Sequence, residues 1–270
     1  MNLLTRSAHT PDDVKLHLEG TGNPKVLMIH GLGYASWEAQ RLRAALGHDF
    51  GLWSLDNRGT GLSGATDAPT SIADLAADAA LAVESLGGPL IVVGHSMGGY
   101  IAQTLARSRP DLVRGLVLVS TSCGGPGADS VPQSTVDAWA DARGLTPAEY
   151  ARRTMPLSFS EDWPHQHPDE FEKILSERAV YPTSAAVWQR QFDAAQQFMA
   201  TGSPCDFASP TVIIHGSADR IVPVANGRHL ARQLPQAEYH EISDAGHLLQ
   251  LEQPQLIADL ITTFITNQLH

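Results

Sequence analysis

Cysteine is nearly absent. The 270 residues include two, Cys123 and Cys205, which make neither a disulfide framework nor a metal-binding spacing. Positive charge is scarce too: 18 Lys and Arg stand against 29 Asp and Glu, a formal net charge of −11. Such a surface repels phosphate, so nucleic acid and anionic membranes are excluded as partners. No apolar run approaches the length of a bilayer span. The opening, MNLLTRSAHTPDD, lacks the apolar core of a signal peptide. A cytoplasmic protein is expected. Internal repeats and low-complexity tracts are also missing.

What is present is ordinary globular composition, 43% hydrophobic and 17% charged, with 23 Gly and 17 Pro. The length suits one large α/β domain, or such a domain with an insertion. Strands are expected at 14–18, 25–30, 50–56, 90–95 and 113–121, then again at 211–216 and 237–243. They are short, and most are apolar throughout. Helices are expected between them at 36–46, 71–87 (Ser71 as cap, Gly87 as stop) and 97–109, and later at 226–234 and from about 253. Apolar strands alternating with helices predict a parallel sheet covered on both faces. The rhythm breaks after residue 121, where SCGGPGADSVPQS begins a stretch of helices without a buried strand, and a further helix is expected over 184–200. In that layout Cys123 lies where the insertion leaves the sheet and Cys205 at the opposite strand end. A strand length of about 17–20 Å then separates them, and both thiols are expected free.

The stretch IVVGHSMGGYIAQTLA, 91–106, carries the chemistry. Gly94-His95-Ser96-Met97-Gly98 fits G-x-S-x-G between a strand and a helix. A serine there sits on a tight turn that lifts its hydroxyl out of the sheet, while the glycines make room for crowded backbone. A serine hydroxyl needs a base, and the base needs a group to hold its tautomer. Asp219, in HGSADRIVP, follows the strand 211–216; His247, in SDAGHLLQLEQP, follows the strand 237–243. In a parallel sheet these loops open at the same edge as Ser96. Backbone N–H groups of Leu32 and Met97 are the expected oxyanion donors.

These segments together resemble the α/β-hydrolase superfamily: HGLG at 30–33, DNRGTGLS at 56–63, GHSMGG at 94–99, HGSADRIVP at 215–223 and AGHLLQLEQP at 245–254. They look most like its small bacterial esterases, enol-lactonases and perhydrolases. The resemblance implies an eight-stranded, mostly parallel sheet flanked by helices, with a helical cap after the sixth strand. The expected division is core 1–121, cap 122–185 and core 186–270. It implies a serine hydrolase of small, mostly apolar carboxylic esters or lactones, with Ser96, Asp219 and His247 as catalytic residues, no cofactor and no metal. Carbon–carbon bond hydrolysis, perhydrolysis and small-molecule reception with little turnover are the alternatives. Serine at the elbow sets the chain apart from relatives with aspartate there.

Several residues invite other readings. Gly31-x-Gly33 with Asp56 mimics a dinucleotide turn, but Ser36 stands at the third glycine position. Asp56 and Arg58 are expected to hold their loop, Glu252 to position the last helix and its loop, His30 to brace, and His95 to point away from Ser96. His165 and His167 lack a third ligand. Trp139, Met155, Trp163 and Phe171 are expected in the core of the cap.

Overall fold

The computed structural model describes residues 3–268. Eight strands form one sheet: β1 (Leu4–His9), β2 (Lys15–Gly20), β3 (Val26–Ile29), β4 (Leu52–Leu55), β5 (Leu90–His95), β6 (Val113–Val119), β7 (Thr211–Gly216) and β8 (Glu238–Ile242). Their order is β1-β2-β4-β3-β5-β6-β7-β8. The β1–β2 and β2–β4 pairs are antiparallel and all others parallel.

Successive strand residues alternate between two apolar layers. Leu27, Ile29, Val92, Leu116, Leu118 and Ile213 face one layer, with α2 (Ile72–Leu86), α3 (Met97–Ser108) and α9 (Val224–Gln233) above them. Val26, Met28, Val93, Val117, Val119 and Ile214 face the other, under α1 (Gln40–Leu46) and α11 (Pro254–Gln268). Burial on both faces explains why these strands read as continuous apolar runs. Helix α2 begins where expected. Ser71 Oγ accepts from Asp74 N–H while Asp74 accepts from Ser71 N–H, and Gly87, at φ 85°, ends the helix.

β1 gave no apolar signal. Five of its six residues are exposed, because it is an edge strand that reaches the main core only through Ala8. Between β6 and β7 run α4 (Gln133–Asp141), α5 (Pro147–Thr154), α6 (Trp163–Gln166), α7 (Pro168–Val180) and α8 (Ala185–Thr201). Met155, Phe159, Trp163, Phe171, Ile174 and Leu175 form a separate apolar cluster, which closes on Trp37, Leu248 and Leu251 of the rest of the chain. Trp139 stays outside it and is half-buried. α8 lies against α2 and α3, where Phe198 stacks on Tyr100 at 4.5 Å between ring centroids.

The expected separation of the cysteines is corrected. Both are free, but the segments that carry them run side by side. After α8 the chain returns beside the segment leaving β6: Gly125 N–H donates to Met199 O, and Ser203 N–H to Cys123 O, each at 2.8 Å. The helical stretch therefore starts and finishes at one place.

Candidate active site

Ser96 joins β5 to α3 with φ 54° and ψ −121°, a backbone that L residues rarely adopt and that costs about 1–3 kcal/mol. The surroundings hold it there. Ser96 N–H donates to Val119 O at 2.9 Å, and Ser96 O accepts from Gly99 N–H and Thr121 Oγ1, both at 2.8 Å. Glycine is required behind it because the turn is packed on neighbouring backbone. A Cβ on Gly98 would stand 2.0 Å from Ile29 O, and one on Gly94 2.5 Å from Gly98 O.

The ends of β3, β5, β7 and β8 point the same way, so the loops after them share one edge of the sheet. After β3, the 30–34 loop lies against the serine, where a Cβ on Gly31 would be 3.2 Å from Ser96 Cβ. Gly33 is clamped by α8 and the segment before it: its N–H donates to Gln191 Oε1 at 2.9 Å, and its carbonyl accepts from Thr183 Oγ1 at 3.0 Å. Leu32 N–H donates to no described residue. Met97 N–H, at the first position of α3, has no intrahelical acceptor.

After β7, Asp219 is 7% exposed, has His215 Nε2 3.3 Å from its Oδ2, and takes three further donors. Ile221 and Val222 N–H groups bond its Oδ1 at 2.8 and 2.9 Å, and His247 Nδ1 lies 2.8 Å from its Oδ2. Burial alone would raise this carboxyl. The charge of His247 and hydrogen bonds from His215 and His247 outweigh burial and hold Asp219 well below the usual carboxylate range. The bond to Asp219 puts the His247 proton on Nδ1 and leaves Nε2 as the acceptor. Burial pushes the His247 imidazole below its ordinary value, and Asp219 only partly opposes this. Ser96 Oγ and His247 Nε2 share no hydrogen bond among the described residues, although the neighbouring His95 ring is 4.8 Å from that of His247. Resting sites of this kind are often loose and tighten around substrate.

The arrangement of a half-buried serine on a strained turn, a carboxylate–imidazole pair and two free N–H groups at one sheet edge can support acyl transfer. A profile of the alpha/beta hydrolase family matches residues 26–260. The chain belongs to this family. This alpha/beta hydrolase is 29% identical over 256 residues to BpoC of Mycobacterium tuberculosis, which is named provisionally as a non-heme bromoperoxidase; the match covers 92% of this chain and 95% of that one. It is also 29% identical to the pimeloyl-(acyl-carrier protein) methyl ester esterase of Chromobacterium violaceum, over 87% of this chain and 91% of that one. Among solved structures, a malate-bound thermophilic esterase from Thermogutta terrifontis superposes with a TM-score of 0.79 at 27% identity, covering 99% of both chains.

Other residues of the hydrolase take up the structural roles expected of them. Asp56 accepts from Ser36 N–H, Ser36 Oγ and Leu62 N–H, at 2.7, 2.7 and 2.8 Å, which ties the loop after β4 to the turn before α1. Arg58 forks onto Asp78, both bonds at 2.6 Å. Glu252, in the short helix α10 (Leu249–Glu252), accepts from Gly246 N–H at 3.0 Å and Ser160 N–H at 3.2 Å, so it braces the His247 loop. His30 and His95 both turn to Glu38, a fully buried residue that the sequence pattern concealed. Gln191 was concealed as well, being one of several glutamines on a long helix. Among the described residues, no group of three or more His, Cys, Asp or Glu could hold a metal ion. Among the described residues, no helix is long and apolar enough to cross a membrane.

Proposed function

We propose that this hydrolase cleaves small, mostly apolar carboxylic esters or lactones through an acyl-enzyme on Ser96. The observation that carries the reading is the strained Ser96 turn on the same sheet edge as the buried Asp219–His247 pair. Ser96 Oγ attacks the carbonyl as His247 Nε2 takes its proton. Asp219 holds the tautomer and stabilises the imidazolium. The developing oxyanion is received by Leu32 and Met97 N–H groups. His247 passes its proton to the leaving alkoxide, then activates the water that releases the acid. The names of the Chromobacterium and Thermogutta relatives support ester cleavage.

Residues 122–185 act as a cap in this reading, with 1–121 and 186–270 as core. Support comes from the separate apolar cluster of that stretch and from the seat of α8 on α2 and α3. Acyl transfer to hydrogen peroxide, releasing a peracid, is the second reading, favoured by the likeness to BpoC.

A fluorophosphonate tests the nucleophile, because its tetrahedral phosphorus mimics the acyl-transfer transition state. Labelling is expected at Ser96 alone, lost in Ser96→Ala and much reduced in His247→Ala, with many turnovers of short activated esters per site. A single burst without turnover would point instead to a receptor that has lost deacylation. Absence of labelling in folded protein would sink the serine-hydrolase assignment.

A further inference from the structure

Directly behind His247 lies a second carboxylate that acyl transfer does not use. Glu38, His30 and His95 are all fully buried. Three nitrogens converge on Glu38. His30 Nδ1 lies 2.7 Å from Oε2, Gln250 Nε2 lies 2.5 Å from Oε1, and His95 Nδ1 lies 2.7 Å from Oε1, off the axis of an aligned hydrogen bond. Gln250 Nε2 can only donate, and Glu38, held well below the usual carboxylate range, is ionised. The other nitrogen of His95, Nε2, lies 3.1 Å from the carbonyl oxygen of His247. A carbonyl can only accept, so Nε2 carries a proton as well.

The proton count is then fixed by the partners. Were His95 neutral with its proton on Nε2, its Nδ1 lone pair would face a carboxylate oxygen at 2.7 Å with no proton between them. In a site closed to water that repulsion has no relief. Moving the single proton to Nδ1 would instead leave Nε2 facing the His247 carbonyl, lone pair to lone pair. Both ring nitrogens are therefore protonated, and the pair is neutral as a whole.

We propose that Glu38 and His95 form a buried carboxylate–imidazolium pair that positions His247 by hydrogen bonding to its main-chain carbonyl and places a fixed positive charge against its ring. Glu38 and His95 are positioning residues here, since neither touches substrate. The inference rests on His247 being the base. It accounts for a loop that is held at both ends of one residue: His247 N–H bonds Ser158 O, and His247 O bonds His95. The groups facing the His247 ring oppose one another. Asp219 favours its protonated form, while His95 and His215 disfavour it. A positive His95 with centroids 4.8 Å away thus helps to keep the base unprotonated and ready. Consistently, Glu38 lies well below the usual carboxylate range: burial would raise it, and the charge of His95 with the bonds from both histidines overcomes burial.

The test combines histidine-15N NMR with pH–rate profiles of wild type and Glu38→Gln, with folding checked by circular dichroism. In wild type, both His95 ring nitrogens are expected to show protonated shifts at neutral pH, and in Glu38→Gln only one. Loss of the His95 charge is expected to move the acid limb of kcat/KM up by about half a pH unit or more. Loss of positioning is expected to lower plateau kcat by about tenfold to a hundredfold. KM is expected to change far less. If Glu38→Gln does not fold, His95→Gln, which keeps a donor towards His247 O without the charge, carries the same expected upward shift. An unprotonated ring nitrogen on wild-type His95, or a limb that stays in place in a folded variant, would overturn the proposal. The NMR reading needs no turnover, and fluorophosphonate labelling of wild type reports on Ser96 separately. Labelling with an unmoved limb counts against the Glu38–His95 pair alone, and loss of labelling counts against the serine-hydrolase reading.

Discussion

His247 hangs from Ser158: its N–H donates to the Ser158 carbonyl at 2.9 Å, and the N–H of Leu248 donates to the same oxygen at the same distance. The loop that carries the imidazole is thus fastened to the helical stretch between β6 and β7. Phe159, the next residue, is fully buried and stacks on Trp163 at 4.6 Å. Phe159→Ala is expected to cost about 3–5 kcal/mol by opening a cavity. The Ser158 carbonyl would shift with it, so kcat is expected to fall even where the protein stays folded. Denaturant unfolding and turnover, measured on one preparation, check both. Lower stability with unchanged kcat would show that the link does not matter to the base.

Asp219→Asn keeps the shape and exchanges acceptor for donor. The amide oxygen stays with Ile221 and Val222 N–H, which already occupy Oδ1, so the NH2 faces His247 Nδ1. That forces the imidazole proton onto Nε2, the atom that must accept from Ser96. A loss in kcat of about 10⁴ is expected, with KM little changed. Near-normal turnover would mean that another group sets the tautomer.

Hydrolysis needs neutral His247, and burial holds its imidazole below the ordinary value. A lowered value keeps the base unprotonated to lower pH. The kcat/KM limb is therefore expected to rise with pH around a midpoint below about 6.5. Asp219 opposes the lowering, so the residual activity of Asp219→Asn is expected to show a midpoint lower still. A wild-type midpoint above that of free histidine would contradict the assignment. The sign for stability follows from the same shift: between the folded and unfolded values the unfolded chain binds the extra proton, so this residue's contribution falls as pH drops through that interval.

Sequence and structure agree best where periodicity is strong. The strands β3 to β7 were legible because two-sided burial demands unbroken apolar runs, and Ser71 and Gly87 because capping has its own chemistry. Ser96 could be placed from G-x-S-x-G between a strand and a helix, and Asp219 and His247 from loops that open at the same sheet edge. β1 was hidden because an exposed edge strand needs no pattern. Glu38 was hidden for a different reason. Its burial depends on nearby His30 and on His95 and Gln250 from two distant segments, and a lone charge beside Trp37 looks like any helix surface. The cysteine separation failed because sequence shows where a strand ends and not how an inserted segment closes on itself.

Gly98 and Gly87 separate backbone crowding from backbone conformation. A Cβ on Gly98 would fall 2.0 Å from Ile29 O, main chain at the end of β3. Neither partner is free to move: β3 is paired on both sides, and α3 is wedged behind Ser96. Gly98→Ala is expected to lose about 1–3 kcal/mol or more through overpacking. It also pushes β3, and with it the loop bearing Leu32, away from the start of α3 at Met97. Two donors that must point at one oxygen would then diverge, and kcat is expected to fall by about a hundredfold or more. Gly87→Ala is the control. It places a Cβ in open space at φ 85°, far from the sheet edge, so about 1–2 kcal/mol of left-handed strain is expected with kcat unchanged. Measuring unfolding and turnover for both variants decides the matter. If the two lose stability alike and neither loses activity, the β3–α3 contact does not set the spacing of the Leu32 and Met97 donors.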